Sequence, residues 1–121
     1  MQNYKKIDVW KKSYNLSLRI YEVTKSFPHE EKFGLTSQLR RAVVSVPINI
    51  AEGAGRATNK DFANFIQIAI GSANEVECEL MLAKDLEYIE TDQFTLLCDQ
   101  LREIRIMLIS FKNSLLKSPK T

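Results

Sequence analysis

Four stretches of the chain carry apolar residues at alternating three- and four-residue steps, and each predicts an amphipathic helix. Between them lie short polar breaks rather than runs of alternating β-branched residues, so nothing indicates a strand. The predicted helices span about 8–25, 31–52, 59–87 and 91–117, with Leu35 as an alternative start of the second.

The breaks contain residues that start or stop helices. Pro28 follows the first stretch, and the residue before a proline avoids the helical conformation. Gly53 and Gly55 follow the second and predict its end. Thr58 and Asp61 stand three residues apart, the spacing of a capping box, and predict the start of the third.

The third and fourth stretches each show a sustained heptad seam. Such seams pack helices side by side, and short connections favour helices that run in alternating directions. The chain, 1–121, is therefore predicted to form a single all-α domain, an antiparallel up-down-up-down four-helix bundle. The seam residues are Phe62, Ile66, Ala69, Ala73, Val76, Leu80 and Ala83 in the third helix and Phe94, Leu97, Leu101, Ile104, Leu108, Phe111 and Leu115 in the fourth.

The first two stretches are apolar on two opposite faces. In helix one we assign the stripe Ile7, Trp10, Tyr14, Leu18 and Tyr21 to the core, and in helix two the stripe Leu35, Leu39, Ala42, Val46 and Ile50. A single bundle buries one face of each helix, so the opposite faces predict self-association into a homo-oligomer. Wide core stripes and scattered surface aliphatics are also ordinary, which leaves a monomer open. The interface candidates are Leu16, Ile20, Val44, Ile48 and Ala51.

Two residues interrupt the predicted helices from inside. Pro47 removes a backbone donor and predicts a kink or local break in helix two, with Ser45 or Asn49 satisfying the freed carbonyl or Asn49 bonding across to a neighbouring helix. Gly71 in helix three predicts a point where a neighbouring helix comes close.

The composition is that of a globular protein, with 121 residues, 45% hydrophobic and 26% charged. No apolar run approaches the length of a membrane span, and the N-terminus lacks the apolar segment of a secretory signal. With only two cysteines, the expected compartment is the reducing cytoplasm, and no membrane partner is expected.

The chain offers little for catalysis or metal binding. His29 is the single histidine, whereas di-metal bundle sites need two Glu-x-x-His pairs. A zinc site from Cys78, Cys98 and His29 would be one ligand short. A Cys–His or Ser–His nucleophile pair is a remote alternative, because His29 lies in a predicted loop. We therefore expect no metal, no cofactor, no small-molecule substrate and no enzymatic activity.

Charge is distributed unevenly along the chain. The net charge is only +2, but residues 1–60 hold 11 Lys and Arg against 5 Asp and Glu, and residues 61–121 hold 6 against 10. Basic side chains on helices are typical phosphate contacts, although Arg41 and Arg56 could instead pair with Glu52. The nucleic-acid-binding candidates are Lys11, Lys12, Arg40, Arg41, Arg56 and Lys60.

Several segments together resemble a known family. They are Gln-Leu-Arg-Arg-Ala at 38–42, Ser-Val-Pro-Ile-Asn-Ile-Ala-Glu-Gly at 45–53 and Ile-Ala-Ile-Gly-Ser at 68–72, with Val9-Trp10, Phe27-Pro28 and Gly34-Leu35. In order and spacing they resemble the bacterial four-helix bundle family of 23S rRNA intervening-sequence proteins, over about residues 4–117. One departure is Phe33, where the family often has tyrosine.

The resemblance implies a small helical protein that assembles into ring-shaped pentamers and has no catalytic residues. It also implies similarity to the accessory variability protein of diversity-generating retroelements, a basic pentamer that binds a reverse transcriptase and nucleic acid. The function expected is that of a non-catalytic, ring-like homo-oligomeric binding protein with RNA or a ribonucleoprotein as partner. The alternative is a protein–protein scaffold or accessory subunit without nucleic-acid contact.

Overall fold

The computed structural model describes residues 2–117, and they form helices and turns without any strand. The predicted all-α class with four helices is confirmed. Short 3-10 turns precede the first and second long helices, at Tyr4–Lys6 and His29–Glu31. The four long helices are α1 (Asp8–Thr24), α2 (Leu35–Ala54), α3 (Asn59–Asp85) and α4 (Thr91–Lys117).

Helix α2 begins at Leu35, the alternative start that the sequence offers, and not at residue 31. Glu31 lies in the preceding 3-10 turn, and its carboxylate accepts a hydrogen bond from the Leu35 backbone N–H at 3.0 Å. Tyr88 donates its hydroxyl to the same carboxylate at 2.9 Å. These two bonds lower the pKa of Glu31, because both favour its ionised form. Glu31 therefore serves as a side-chain cap for α2.

At its other end α2 continues past Gly53, which we predicted as a stop residue. The helix instead ends at Ala54, with Gly55 as its cap. A Cβ added at Gly53 would lie 2.7 Å from Phe62 Cδ1 and 2.8 Å from Phe65 Cβ. Glycine is required here because α3 packs closely against α2.

The ends of α3 show one expected and one unexpected cap. Thr58 Oγ1 accepts from the Asp61 N–H at 3.1 Å, which confirms the predicted N-cap. The helix ends two residues before the predicted residue 87, where Glu87 adopts a left-handed φ of 64°. The Tyr88 N–H then donates to the Ala83 carbonyl at 2.8 Å, which closes the last turn.

The core lies between the four helices and contains the predicted stripes of α2 and α3, which are fully buried. The α4 seam is buried at five of its seven positions, with Phe94 and Phe111 partly buried at the core edge. The largest side chains with almost no exposure are Ile20, Leu39, Ile50, Ile66, Leu80, Leu97, Leu101, Ile104 and Leu108.

In α1 the predicted core stripe was wrong. The buried face carries Leu16 and Ile20, which are 4% and 0% exposed. Contrary to our prediction, neither side chain can therefore contact a partner. Ser13 and Ser17 share this face, and their hydroxyls donate to carbonyls of their own helix. Small, internally bonded serines let α1 approach α2, whereas the stripe containing Tyr14 and its hydroxyl faces outward.

Pro47 is buried within α2, and the helix continues through it. Proline cannot donate to the Val43 carbonyl four residues earlier, and Ser17 of α1 donates its hydroxyl to that carbonyl at 3.2 Å. Of the predicted partners, Ser45 bonds instead to Ser72 of α3, and Asn49 donates to Ser45 of its own helix rather than to a neighbouring one. Pro47 thus leaves a carbonyl of α2 free for a hydrogen bond from α1.

Contacts between helices define two ends of the molecule. At one end the Gln2 N–H donates to the Ala54 carbonyl at 3.1 Å, and the rings of Phe62 and Phe111 lie 5.2 Å apart. At the other end Phe27 packs against Tyr88, with ring centroids 5.4 Å apart. The first end thus unites the chain start, the end of α2, the start of α3 and the last turns of α4.

Candidate interaction surfaces

An apolar groove of about 410 Å³ runs between α1 and α2 on the outside of the bundle. No charged side chain lines it, and several of its residues are well exposed, including Leu18 and Ile48 at 58% each and Tyr14 at 47%. We call it the α1/α2 groove. It is lined by Tyr4, Trp10, Tyr14, Ser17, Leu18, Tyr21, Val44, Pro47, Ile48 and Ala51.

The aromatic side chains of the α1/α2 groove stack on one another. The ring centroid of Trp10 lies 4.9 Å from that of Tyr14, in a stacked arrangement, and 5.1 Å from that of Tyr4, in an edge-to-face arrangement. These contacts join three of the four aromatic rings of the groove, those of Tyr4, Trp10 and Tyr14, into one cluster.

Three of the five predicted interface residues lie in this groove. Val44, Ile48 and Ala51 line it from α2, whereas Leu16 and Ile20 lie in the core. The α1 side of the groove is formed by the aromatic stripe that we assigned to the core. The signal that could have identified it is the hydroxyl of Tyr14 and Tyr21, since a buried tyrosine needs a hydrogen-bond partner.

Three of the six predicted nucleic-acid contacts are engaged within the protein. Arg40 donates from Nε to Thr24 Oγ1 at 2.8 Å, and its guanidinium lies 4.6 Å above the Tyr21 ring. Arg56 pairs with Glu52 at 3.7 Å and covers the Phe65 ring.

Lys12, the third engaged cation, pairs with Glu103 of α4 at 2.7 Å. This hydrogen bond and the opposite charge raise the pKa of Lys12. The pair borders a polar pocket of about 350 Å³ between α1 and α4, which also contains Arg19 and Gln100. Because Lys12 and Glu103 offset each other, the remaining charge of this pocket is that of Arg19.

The other three predicted contacts, Lys11, Arg41 and Lys60, are exposed and have no salt bridge among residues 2–117. The structure does not bring all six candidates together. Arg40 contacts the last turn of α1, whereas Arg56 and Lys60 lie at the opposite end of the bundle, where α2 ends and α3 begins.

The two ends of the molecule differ in charge. The end formed by residues 2–15, 50–67 and 106–117 carries eight Lys and Arg against three Asp and Glu. We call it the basic end. The remaining described residues, 16–49 and 68–105, carry eight Lys and Arg against twelve Asp and Glu. The fold thus separates positive from negative charge along the bundle.

A carboxylate is buried in α3. Glu79 is 6% exposed, and its Oε1 has no hydrogen-bond partner. Burial raises the pKa of Glu79 to about 7, and the nearby Glu75 carboxylate adds to the effect.

Thiol and metal chemistry have little support in the described part of the chain. Burial raises the pKa of Cys98, which disfavours its reactive thiolate, and Cys78 is an exposed free thiol. Residues 2–117 contain no cluster of three or more His, Cys, Asp or Glu side chains placed to hold a metal ion. Within the same range no helix is both long and apolar enough to cross a bilayer.

Comparison with known proteins places this bundle in a family. The model of the family described as 23S rRNA-intervening sequence protein matches residues 5–110. The chain belongs to this family. It is also similar to a solved structure, a protein of unknown function from the S23 ribosomal protein family of Bacteroides thetaiotaomicron, with 33% sequence identity and a TM-score of 0.81. That match covers 87% of this chain and 95% of the other. No curated protein matches the sequence.

Proposed function

We propose that this member of the 23S rRNA-intervening sequence protein family is a non-catalytic binding protein. Its copies associate through the α1/α2 groove into a ring-like homo-oligomer, and the assembly binds RNA or a ribonucleoprotein. The observation that carries the proposal is the α1/α2 groove itself. It exposes Leu18, Ile48 and Tyr14 on a bundle whose core is already filled, and large exposed apolar patches mark interaction sites.

The proposal includes an antiparallel, up-down-up-down order of the four helices. It is supported by the contacts at the two ends, which join Gln2 to Ala54 and Phe62 to Phe111 at one end and Phe27 to Tyr88 at the other. The proposed ring has five copies, as the family resemblance implies.

RNA as the partner is supported by the family description and by the basic end. Lys11 and Lys60 are exposed there without salt bridges among the described residues. In a ring each cation is repeated in every copy, so a modest patch on one chain becomes a multivalent surface. Phosphate contacts of this kind weaken as salt rises, because binding releases counterions.

The second candidate is a protein–protein scaffold without nucleic-acid contact. It is favoured by the engagement of Lys12, Arg40 and Arg56 within the protein, which leaves fewer cations for phosphate.

Filter binding with a 23S rRNA fragment, repeated across a salt series, separates the two candidates. We expect the double variant Lys6→Glu/Lys60→Glu, which replaces two exposed cations of the basic end away from the α1/α2 groove, to weaken binding by about tenfold or more. The matched control, Lys25→Glu/Lys32→Glu, makes the same change in net charge at the opposite end and should retain most of the binding. Absence of binding by the wild-type chain at low salt would overturn the RNA proposal and leave the scaffold.

A further inference from the structure

The outer face of α3 carries a second heptad seam, distinct from the one that fills the core. Its residues recur at three- and four-residue steps and all point away from the bundle. Ile68 and Leu82 are 51% and 50% exposed, and Cys78 is an exposed thiol. We call this seam the α3 strip. It consists of Ile68, Gly71, Glu75, Cys78, Leu82 and Asp85.

No contact within the same chain explains why position 71 is a glycine. A Cβ added there would meet no atom within 4 Å, in contrast to Gly53, where α3 leaves no room. Glycine in mid-helix is less favourable than alanine, so its presence on an open surface is best explained by a helix from outside that approaches the backbone.

The α3 strip and the α1/α2 groove are complementary in charge. Glu75 and Asp85 on the strip are exposed, with no salt bridge among residues 2–117. Lys11 follows the groove residue Trp10, and Arg41 lies one helical turn before the groove residue Val44; both are exposed and likewise free of salt bridges within that range.

Two acidic residues, Glu22 and Glu52, follow groove-lining residues in the sequence, and each is paired with a cation. Glu22 pairs with Lys25 and Glu52 with Arg56, so the net charge around the groove stays positive.

The two surfaces also differ in shape. The α1/α2 groove is a concave channel between two helices, and the α3 strip is the convex side of one helix. A groove that meets an identical groove would leave two concave surfaces unfilled, whereas a helix ridge can fill a groove between two helices. Different surfaces on one chain pair head to tail, and such pairing forms a ring when the rotation between successive copies closes and an open filament when it does not.

We infer that the occupant of the α1/α2 groove is the α3 strip of a second copy of this chain. The interface is therefore heterologous, with Gly71 admitting the neighbour and Glu75 and Asp85 facing the groove cations. This inference rests on the proposed self-association and specifies which surfaces make it.

Mixing two single variants tests the inference without RNA. Ile48→Glu blocks the groove and leaves the strip intact, and Leu82→Glu blocks the strip and leaves the groove intact; both positions are exposed, so both variants should fold, as circular dichroism will show. Each variant alone should sediment as a single chain of 13.9 kDa, and an equimolar mixture should form a 1:1 dimer. Ile109→Glu, at an exposed position of α4, is the matched control and should associate like the wild type.

Other outcomes overturn the inference in distinguishable ways. If Leu82→Glu associates like the wild type while Ile48→Glu is monomeric, the groove pairs with a different surface, and the proposed function stands without this inference. If Ile48→Glu also associates like the wild type, the groove is not the interface at all. If the wild-type chain is monomeric, self-association itself fails.

Disulfide trapping gives an independent readout, because Cys78 already lies in the α3 strip. Leu18→Cys, Ile48→Cys and Ala51→Cys place a second thiol in the groove, one at a time. With copper phenanthroline as oxidant, at least one should give a ladder of covalent oligomers that Cys78→Ser abolishes. Covalent dimers that persist in the Cys78→Ser background would show groove-to-groove pairing and contradict the inference.

Discussion

Glu79 is a carboxylate held in an unfavourable place, buried in α3 with one oxygen unpartnered. Burial raises its pKa from 4.5 to about 7, so between these two pH values the folded state holds a proton that the unfolded state has lost. The free energy of unfolding therefore falls as pH rises through this window and stays low above it. The stabilising form of Glu79 is the neutral one.

We expect Glu79→Gln to raise the melting temperature at pH 8 by about 4 °C or more and to change it little at pH 5. The amide cannot ionise, so it avoids the cost of burying a charge at high pH. Thermal unfolding followed by circular dichroism at both pH values measures this difference. The control is Glu30→Gln at an exposed position, and an equal shift at both pH values in Glu79→Gln would contradict the assignment.

Gly53, in the last turn of α2, and Gly71, in the middle of α3, should respond oppositely to alanine. Gly53→Ala forces a Cβ to within 2.7 Å of Phe62 and should cost about 1–3 kcal/mol of unfolding free energy. Gly71→Ala meets open space in its own chain and should stabilise the monomer by up to about 1 kcal/mol. Urea unfolding of both in the Ile48→Glu background measures folding apart from association. A loss at Gly71 as large as at Gly53 would contradict the packing described here.

At the scale of elements, periodicity predicted the number of helices and the core faces of α2 and α3. It could not decide α1, since both of its stripes have helical spacing. Tertiary contacts determine which face of α1 is buried. The main one is the hydrogen bond from the Ser17 hydroxyl to the Val43 carbonyl, which has no helical donor because of Pro47. That bond joins residues far apart in sequence, and no local pattern contains it.

Substitutions on the two faces of α1 test this assignment. Ile20→Ala removes a fully buried side chain and should destabilise the fold by about 2–5 kcal/mol. Leu18→Ala, at a 58% exposed position, should change the stability of the monomer by less than about 0.5 kcal/mol. Both are measured by urea unfolding in the Ile48→Glu background. Similar losses for the two variants would mean that the face of α1 is wrongly assigned.

For the molecule as a whole, the charge pattern along the sequence did not predict the charge pattern in space. The basic half and the acidic half of the chain each contribute helices to both ends of the bundle, and the excess of cations at the basic end comes from residues 2–15 and 106–117. Pairing cannot be read from one sequence either, because Lys12 meets Glu103 only through the packing of α1 on α4. The i,i+4 pair of Arg56 with Glu52 was predictable because it is local.

Sedimentation equilibrium on the full chain, over about 1–100 µM, tests most directly whether the α1/α2 groove is covered by other copies. The wild type should sediment as a multiple of 13.9 kDa, Ile109→Glu should match it, and Ile48→Glu should sediment as a single chain. A wild-type mass of 13.9 kDa at every concentration would contradict the proposal that other copies of the chain cover the α1/α2 groove.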